Sequence, residues 1–418
     1  MATRPTIAIP LDIPDVEVLR TDVTSARELV IEVRSTLTHT TCRTCGRTIT
    51  DSAGIDRPIR VRHLPILGMQ VWIEIRPKRF RCPFCANHPT TTQVLPWYTP
   101  NAPFTQAFEQ DMLVMLINST IADVCTKGGV LPDAVLGVIS RWIEATVVWD
   151  TLPAFSVIGI DEIALKKGHR DFVAIVTAQE PDGTLHLLAV LPDRTKATMV
   201  AWLQTIPTSI RRGIRTVCTD MWEAYVRAAE EVLPHAHIVI DRFHVAHHAA
   251  DAVDTLRKQE LKRLRNTLPP EQAETLKHTM WPFRKRAATL TPDERDRLDH
   301  LLAQSRALED AYELREELTR IFDQTRSKAA GLRRLHLWQR TVRARGVTCF
   351  DRFLKLLDTW RDGIANYFRT HQNSGFVEGL NNKLKVLKRR CFGMTNHRHL
   401  FQRITLDLEG YRRFRPIP

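Results

Sequence analysis

The sequence predicts a multidomain α/β protein, with a mixed core that carries an all-helical insertion and is preceded by a cysteine-paired domain and a helix-turn-helix. Three observations point there. The chain has 418 residues, about three folding units at roughly 150 residues each. Four of its 8 cysteines form two C-x-x-C pairs. From residue 155 the apolar rhythm becomes three strands, helix, strand, helix, strand. With 43% hydrophobic and 26% charged residues, the composition is that of a chain able to bury cores, which excludes a disordered tail. No apolar run approaches the roughly 18 residues of a membrane span, and the start MATRPTIAIPLD lacks the apolar core of a signal peptide. A cytoplasmic, soluble protein with no membrane partner is expected.

The net charge is +13, and two clusters carry it. Residues 42–85 hold 9 Lys/Arg against 3 Asp/Glu, and residues 379–415 hold 10 against 2. A merely solubilising surface would be spread evenly, so two phosphate-facing patches and a polyanionic partner are expected.

Each element then has its own reason. Cys42-x-x-Cys45 and Cys82-x-x-Cys85 match a zinc ribbon, because a two-residue gap lets both thiolates of a knuckle face one Zn²⁺ ion. A redox pair is the alternative. His63 and His88 stand nearby as substitute ligands, although four thiolates complete the site. Between the knuckles, VRHLPILG and MQVWIEIRPKRFRC alternate at Val71, Ile73 and Ile75 as a half-buried hairpin turning at Gly68. Arg76, Lys78, Arg79 and Arg81 on it suit DNA backbone contact, or form a solvated strand face. Cys125, Cys218, Cys349 and Cys391 read as core residues.

After Pro96, Pro100 and Pro103, helical spacing begins at Phe104, Phe108, Met112 and Met115. A short helix with Ile121 and Val124 buried, a Gly128-Gly129 turn, and a helix from Pro132 or Asp133 to Trp142 have helix-turn-helix proportions. The second helix presents Asp133, Gly137 and Arg141, of which Arg141 is a DNA-contact candidate.

In the core, FSVIGIDEIAL is a buried strand ending at Asp161. DFVAIVTA and TLHLLAV form a hairpin through Pro181-Asp182-Gly183. TKATMVAWLQTI is a helix, RTVCTD a strand closing at Asp220, MWEAYVRAAEEVL a helix and HIVID a strand closing at Asp241. This order is that of a ribonuclease H-like fold, in which the first and fourth strands are neighbours. Asp161 and Asp220 then share one end of the sheet, where two carboxylates repel unless cations lie between them. Hard oxygen ligands select Mg²⁺ or Mn²⁺, and two such ions serve phosphoryl transfer.

The third acid is Glu378 in NSGFVEGLNNKLKVLKRRCFG. Val377, Leu380, Leu384, Leu387 and Cys391 make one buried helical stripe. The other side carries Glu378, Asn381, Asn382, Lys385, Lys388 and Arg389, followed by Arg390. A carboxylate leading into amide and cationic groups suits a metal ligand beside a phosphate track; a surface Glu favoured by the helix dipole is the alternative.

Taken together, the CxxC…RCPFC ribbon, VIGIDEIALKKGH, CTDMWEAYVRAAEEVLPHAHIVIDRFHV and NSGFVEGLNNKLKVLKRRCFGMTNHRHLFQRI resemble the zinc-ribbon DDE transposases of bacterial insertion sequences, the ISL3 family, over nearly the whole chain. The resemblance implies that Asp161, Asp220 and Glu378 are the DDE triad holding two Mg²⁺ or Mn²⁺ ions. It also implies that residues 42–85 and 104–145 bind double-stranded element ends, and that the protein works on the nucleoid as a homodimer or higher oligomer. The expected reaction frees 3′-hydroxyls at the ends and joins them to target DNA. The rivals are a ribonuclease H-like nuclease without strand transfer and a domesticated DNA-binding protein.

Asp241 reads as an outer support of the metal site, together with Asn382, or as an N-cap of the helix that follows. His244, His247 and His248 read as a wet helix face or phosphate contacts rather than a metal site. Residues 242–370, broken at Pro269-Pro270, Trp281-Pro282 and Thr291-Pro292, read as the helical insertion, with Trp281, Trp338 and Trp360 as packing residues. The expected domains are residues 1–95 (ribbon), 96–150 (helix-turn-helix), 151–241 (core), 242–370 (insertion) and 371–418 (core helix and basic end).

Overall fold

The computed structural model describes residues 10–164, 172–371, 375–391 and 396–414, apart from the side chains of 370, 375–378 and 381. Two compact units are present. One is built from the described residues up to Glu144 with those from Thr405 onward, and the other spans Ala145–Ile404. The last segment is therefore divided, its final residues belonging with the N-terminal unit rather than with the mixed core.

The first unit contains β1 (Val16–Val23), β2 (Glu28–Ser35), β3 (Thr40–Thr41), β4 (Thr48–Ile49), β5 (Asp51–Ile55), β6 (Ile59–Ile66), β7 (Met69–Ile75), β8 (Lys78–Arg81) and β9 (Thr90–Thr92), then α1 (Gln106–Leu116), α2 (Ile121–Gly128) and α3 (Pro132–Trp142). The hairpin read from the sequence is β6–β7, turning at Leu67 and Gly68, both at positive φ. It belongs to a four-stranded sheet ordered β1-β2-β7-β6, in which β2 and β7 run parallel. Val71, Ile73 and Ile75 are fully buried with Ile31, Val33, Val61, Leu95 and Trp97. β1 and β2 add two strands to those expected from the sequence. β1 is an edge strand whose alternation is diluted by exposed Val18, Leu19 and Val23, whereas β2 alternates, burying Ile31, Val33 and Ser35. The knuckles sit apart on two small sheets, β3-β4 and β5-β8-β9.

Thr105 caps α1, accepting from the Phe108 amide at 3.4 Å. Thr120 and Asp123 form a reciprocal capping box on α2, and Gly129 ends that helix in the left-handed region at φ +58°, which glycine adopts without steric cost. Phe108, Met112, Leu113, Val124, Val135, Val138 and Ile139 form the core of the three helices, joined by Leu406.

The second unit contains β10 (Val157–Ala164), β11 (Phe172–Gln179), β12 (Leu185–Leu191), α4 (Lys196–Thr205), α5 (Thr208–Gly213), β13 (Thr216–Thr219), α6 (Glu223–Val232) and β14 (His237–Ile240). Its sheet is ordered β12-β11-β10-β13-β14, so the first and fourth strands are neighbours as the sequence order requires. β10 pairs antiparallel with β11 and parallel with β13. One face, with Ile158, Ile160, Ala174, Val176 and Val217, packs on Met199 and Leu203 of α4 and Tyr225 of α6. The other, with Val157, Cys218 and Val239, is covered by later helices.

Those helices are α7 (Arg242–Thr267), α8 (Pro270–Thr275), α9 (Met280–Arg284), α10 (Pro292–Ala303), α11 (Arg306–Gln324), α12 (Lys328–Ala344), α13 (Asp351–Thr359), α14 (Arg361–Thr370), α15 (Gly375–Arg390) and α16 (His397–Phe414). Prolines open α8 and α10 as expected, whereas Pro282 lies inside α9. Trp338 is fully buried among Phe350 and Phe353 and donates its indole N–H to the Leu314 carbonyl at 2.8 Å. Trp360 packs partly against the same core. Trp281 does not pack: it is 62% exposed, because α9 is short and turns only Pro282 and Phe283 inward. Of the four scattered cysteines, Cys218 is fully buried, while Cys125, Cys349 and Cys391 are half-buried.

Candidate functional site

The thiols come together. Cys42, Cys45, Cys82 and Cys85 hold their sulfur atoms within 4.8 Å of one another, with Cys42–Cys85 at 3.9 Å and Cys45–Cys82 at 3.7 Å. A tetrahedron of sulfurs around zinc, at Zn–S of about 2.3 Å, has edges of about 3.8 Å. The chain makes this shape locally. The Cys42 amide bonds to the Arg47 carbonyl, the Gly46 amide returns to the Cys42 carbonyl, and Gly46 stands at φ +70°. At the second knuckle the His88 amide bonds to the Cys85 carbonyl and the Cys82 amide to the Pro89 carbonyl. Backbone N–H groups of Cys45 and Thr44 lower the Cys42 thiol to about 6, and burial pushes the Cys85 thiol up to about 12. Neither substitute ligand joins in. His88 Nδ1 lies 3.1 Å from the Cys82 carbonyl, and buried His63 lies 2.9 Å from Thr105 Oγ1.

The carboxylates are arranged by strand register. The last β10–β13 pair is Ile160 with Thr219, and the last β13–β14 pair is Thr219 with Ile240. The next residues along the chain are Asp161, still within β10, and Asp220 and Asp241, just past the ends of β13 and β14. β10 does not end at Asp161, because pairing with β11 carries it to Ala164, and Asp161 itself pairs with Ile175. Asp161 is 9% exposed and accepts the Glu162 amide at 2.6 Å. Burial, reinforced by the Asp161 charge, pushes the Asp220 carboxyl up to about 6. The charge of His244 acts on Asp220 in the opposite sense. Asp241 is 2% exposed and caps α7, accepting the Phe243 amide at 3.0 Å. Among the described residues, the thiols form the one group of three or more ligand atoms close enough for an ion. Glu378 belongs to the first turns of α15, and its side chain lies outside the described residues.

α15 packs against β10. Its buried stripe is Leu380, Leu384 and Leu387. Asn382, Lys385 and Arg389 are exposed as expected, while Arg390 is half-buried. Lys388 bonds to the carbonyl of Ala164, the last residue of β10. Its ammonium therefore ties helix to strand, a role that no spacing signals. Arg141 is likewise held within the protein, by the fully buried Glu109, whose second oxygen accepts the Trp142 indole at 2.6 Å. A buried carboxylate needs such partners, so Arg141 serves Glu109 within the protein. On the knuckle side, Lys78 donates to the Leu37 carbonyl at 2.8 Å and Arg79 to Thr90 at 2.6 Å, while Arg76 and Arg81 are exposed.

Beside the acids lies a group that sequence reasoning missed. Arg194 donates to both carboxylate oxygens of Glu162, at 2.8 and 2.9 Å. Its guanidinium carbon is 4.3 Å from the Phe172 ring centroid and 4.1 Å from that of Trp222.

A family model described as Transposase, of the DDE type named for ISL3, matches residues 158–404. The chain belongs to the ISL3 family of transposases. A second model, the zinc-finger of transposase IS204/IS1001/IS1096/IS1165, matches residues 38–85 of this transposase. The chain is similar to the transposase for insertion sequence element IS1001 of Bordetella parapertussis, 28% identical over 85% of either chain. It is also similar to the transposase for IS1557 of Mycobacterium tuberculosis, 23% identical over 96% of this chain and 93% of that one. The transposase is thus an enzyme acting on DNA, with structural Zn²⁺ in its ribbon and divalent-metal catalysis. No described helix is long and apolar enough to cross a membrane.

Proposed function

We propose that this transposase cleaves at the ends of its element and joins the freed 3′-hydroxyls to target DNA at a centre made by Asp161, Asp220 and Glu378. The observation that carries this reading is the register. Its last parallel pair, Ile160 with Thr219, immediately precedes Asp161 and Asp220, and burial together with the Asp161 charge pushes Asp220 up to about 6, which supports a carboxylate pair awaiting cations. Hard oxygen donors of this kind fit Mg²⁺ or Mn²⁺. When bound, two such ions neutralise the scissile phosphate and acidify the attacking water. The chain's own residues hold the acids in line, with Asp161 set by the Glu162 amide and α15 tied to β10 by Lys388. Exposed Lys385 and Arg389, with Arg390, follow Glu378 along α15 and neutralise the DNA backbone. Asp241 supports the pair from its cap position, and Asn382 lies on the exposed side of α15.

The strand order supports a ribonuclease H-like core over residues 151–241, with residues 242–370 as a helical insertion and 371–418 returning the third acid. α2, the Gly129 turn and α3 support a helix-turn-helix within residues 96–150. Residues 1–95 form the ribbon domain, with Cys42, Cys45, Cys82 and Cys85 as the zinc ligands and Arg76 and Arg81 turned to DNA. A reaction on two element ends calls for a homodimer or higher oligomer, at work in the cytoplasm on the nucleoid.

The test is a strand-transfer assay on the element's own end DNA with Mg²⁺ or Mn²⁺, comparing the wild type with Glu378→Gln. Joined products from the wild type that vanish in the variant support the triad. Binding of ends without cutting by the wild type overturns it in favour of a DNA-binding protein, and cutting without joining favours a nuclease.

A further inference from the structure

The ladder between β10 and β13 stops at Ile160 and Thr219, one residue short of the two carboxylates it serves. Beyond it the chains carry like charges on neighbouring strands, and Asp220 passes directly into the loop before α6. Trp222, the N-cap residue of α6, has no side-chain hydrogen bond to the helix amides. Backbone pairing therefore does not hold Asp220 against Asp161, and a link of another kind is needed.

We propose that Arg194 is the positioning residue that sets the separation of Asp161 and Asp220. It reaches both sides of the gap at once. Its guanidinium bonds to the carboxylate of Glu162, the residue after Asp161, through both oxygens at 2.8 and 2.9 Å. The Glu162 amide in turn donates to Asp161 Oδ1 at 2.6 Å, so fixing Glu162 fixes the peptide that orients Asp161. On the other side the guanidinium lies on the Trp222 ring at 4.1 Å, and the Trp222 indole N–H donates to the Arg194 carbonyl at 3.1 Å. Trp222 stands two residues after Asp220. Phe172, at the start of β11, closes over Arg194 at 4.3 Å. One guanidinium nitrogen, Nη1, donates to both Glu162 oxygens while the guanidinium lies against the Phe172 and Trp222 rings, a stacking for which the lysine ammonium lacks the planar shape.

Arg194 acts through Glu162 and Trp222, and nothing in its contacts requires it to touch DNA or an ion. The inference rests on the assignment of Asp161 and Asp220 as metal ligands. A support that orients ligand groups is expected to change metal affinity by about tenfold or more when removed.

The experiment measures Mn²⁺ binding to the full zinc-loaded chain without DNA, by electron paramagnetic resonance, for the wild type, Arg194→Lys, Glu162→Gln and Asp161→Asn. Strand transfer is titrated with Mn²⁺ and with end DNA in parallel. Arg194→Lys keeps the charge and loses the planar stacking on Trp222 and Phe172. The expected result is Mn²⁺ binding weakened about tenfold in Arg194→Lys and in Glu162→Gln, with joining restored at saturating Mn²⁺ and an unchanged KM for DNA. Unchanged Mn²⁺ affinity in Arg194→Lys, while Asp161→Asn loses the ion, overturns the role of Arg194 and leaves the metal site standing. A shift confined to KM for DNA also overturns it, and makes Arg194 a DNA contact. Full Mn²⁺ binding by Asp161→Asn overturns the metal site itself and this inference with it.

Discussion

Four thiols in the N-terminal unit hold their sulfurs within 4.8 Å of one another, whereas in the α/β unit burial, reinforced by the Asp161 charge, pushes Asp220 up to about 6. The difference lies in how far the chain must travel to make each site. Each thiol pair comes from one tight turn whose own amides shape it and, at Cys42, stabilise the thiolate. The acids of the proposed centre, residues 161, 220 and 378, come instead from stretches far apart in the chain, which only the fold can bring together. Carboxylates gathered in this way are held against their mutual repulsion by neighbouring groups, here the Glu162 amide, Arg194 and the Lys388 bond between α15 and β10. A structural metal site can be local. A catalytic one must gather charge at a place open to substrate, and the fold has to oppose that charge by other means.

The comparison is broken most sharply at Asp161. Asp161→Asn keeps size and hydrogen bonding but removes the charge that makes the site. Joining is expected to fall by on the order of a thousandfold or more, with end binding retained in a gel-shift assay. Retained joining removes Asp161 from the chemistry.

At the other site, Cys82→Ser replaces a fully buried ligand. Because zinc affinity in such modules is largely folding free energy, the variant is expected to lose its zinc by elemental analysis and to bind end DNA about tenfold more weakly. Full zinc content in the variant excludes Cys82 as a ligand. Joining chemistry on pre-nicked DNA, by contrast, depends on the acids and not on the ribbon.

The smallest effect is on stability against pH. The folded Asp220 carboxyl stands at about 6, above its ordinary value of 3.8. An acid raised in this way binds its proton in the folded state over a window where the unfolded chain is already ionised. Its contribution is therefore full below 3.8 and lost as pH rises through about 6, at most about 3 kcal/mol and less because the group is partly solvated. In metal-free protein, Tm should fall across this window, and Asp220→Asn should flatten the fall. Added Mn²⁺ should raise Tm above pH 6. A flat profile in the wild type excludes a charge-strained pair.

Much of this was written along the chain. The paired cysteines, the strand ends at Asp220 and Asp241, the helical stripe of Leu380, Leu384 and Leu387 and the Gly129 turn all follow from local spacing, since periods of 2 and 3.6 and the conformational freedom of glycine are local properties. β1 escaped notice because an edge strand leaves apolar side chains in solvent and loses its alternation. Trp281 was read as a packing residue because an indole's burial depends on which neighbours reach it, which no spacing records.

The residue types and spacings by themselves brought out the paired cysteines and the order of strands in the α/β unit, because ligand chemistry and backbone periodicity belong to short stretches of chain. Only the tertiary structure decided the partners of the long cations. Arg141 turns to buried Glu109, Lys388 to the end of β10, and Arg194 to Glu162 and Trp222. A flexible charged side chain takes whichever buried acceptor the packing brings within reach, and only the packed fold determines which acceptor that is.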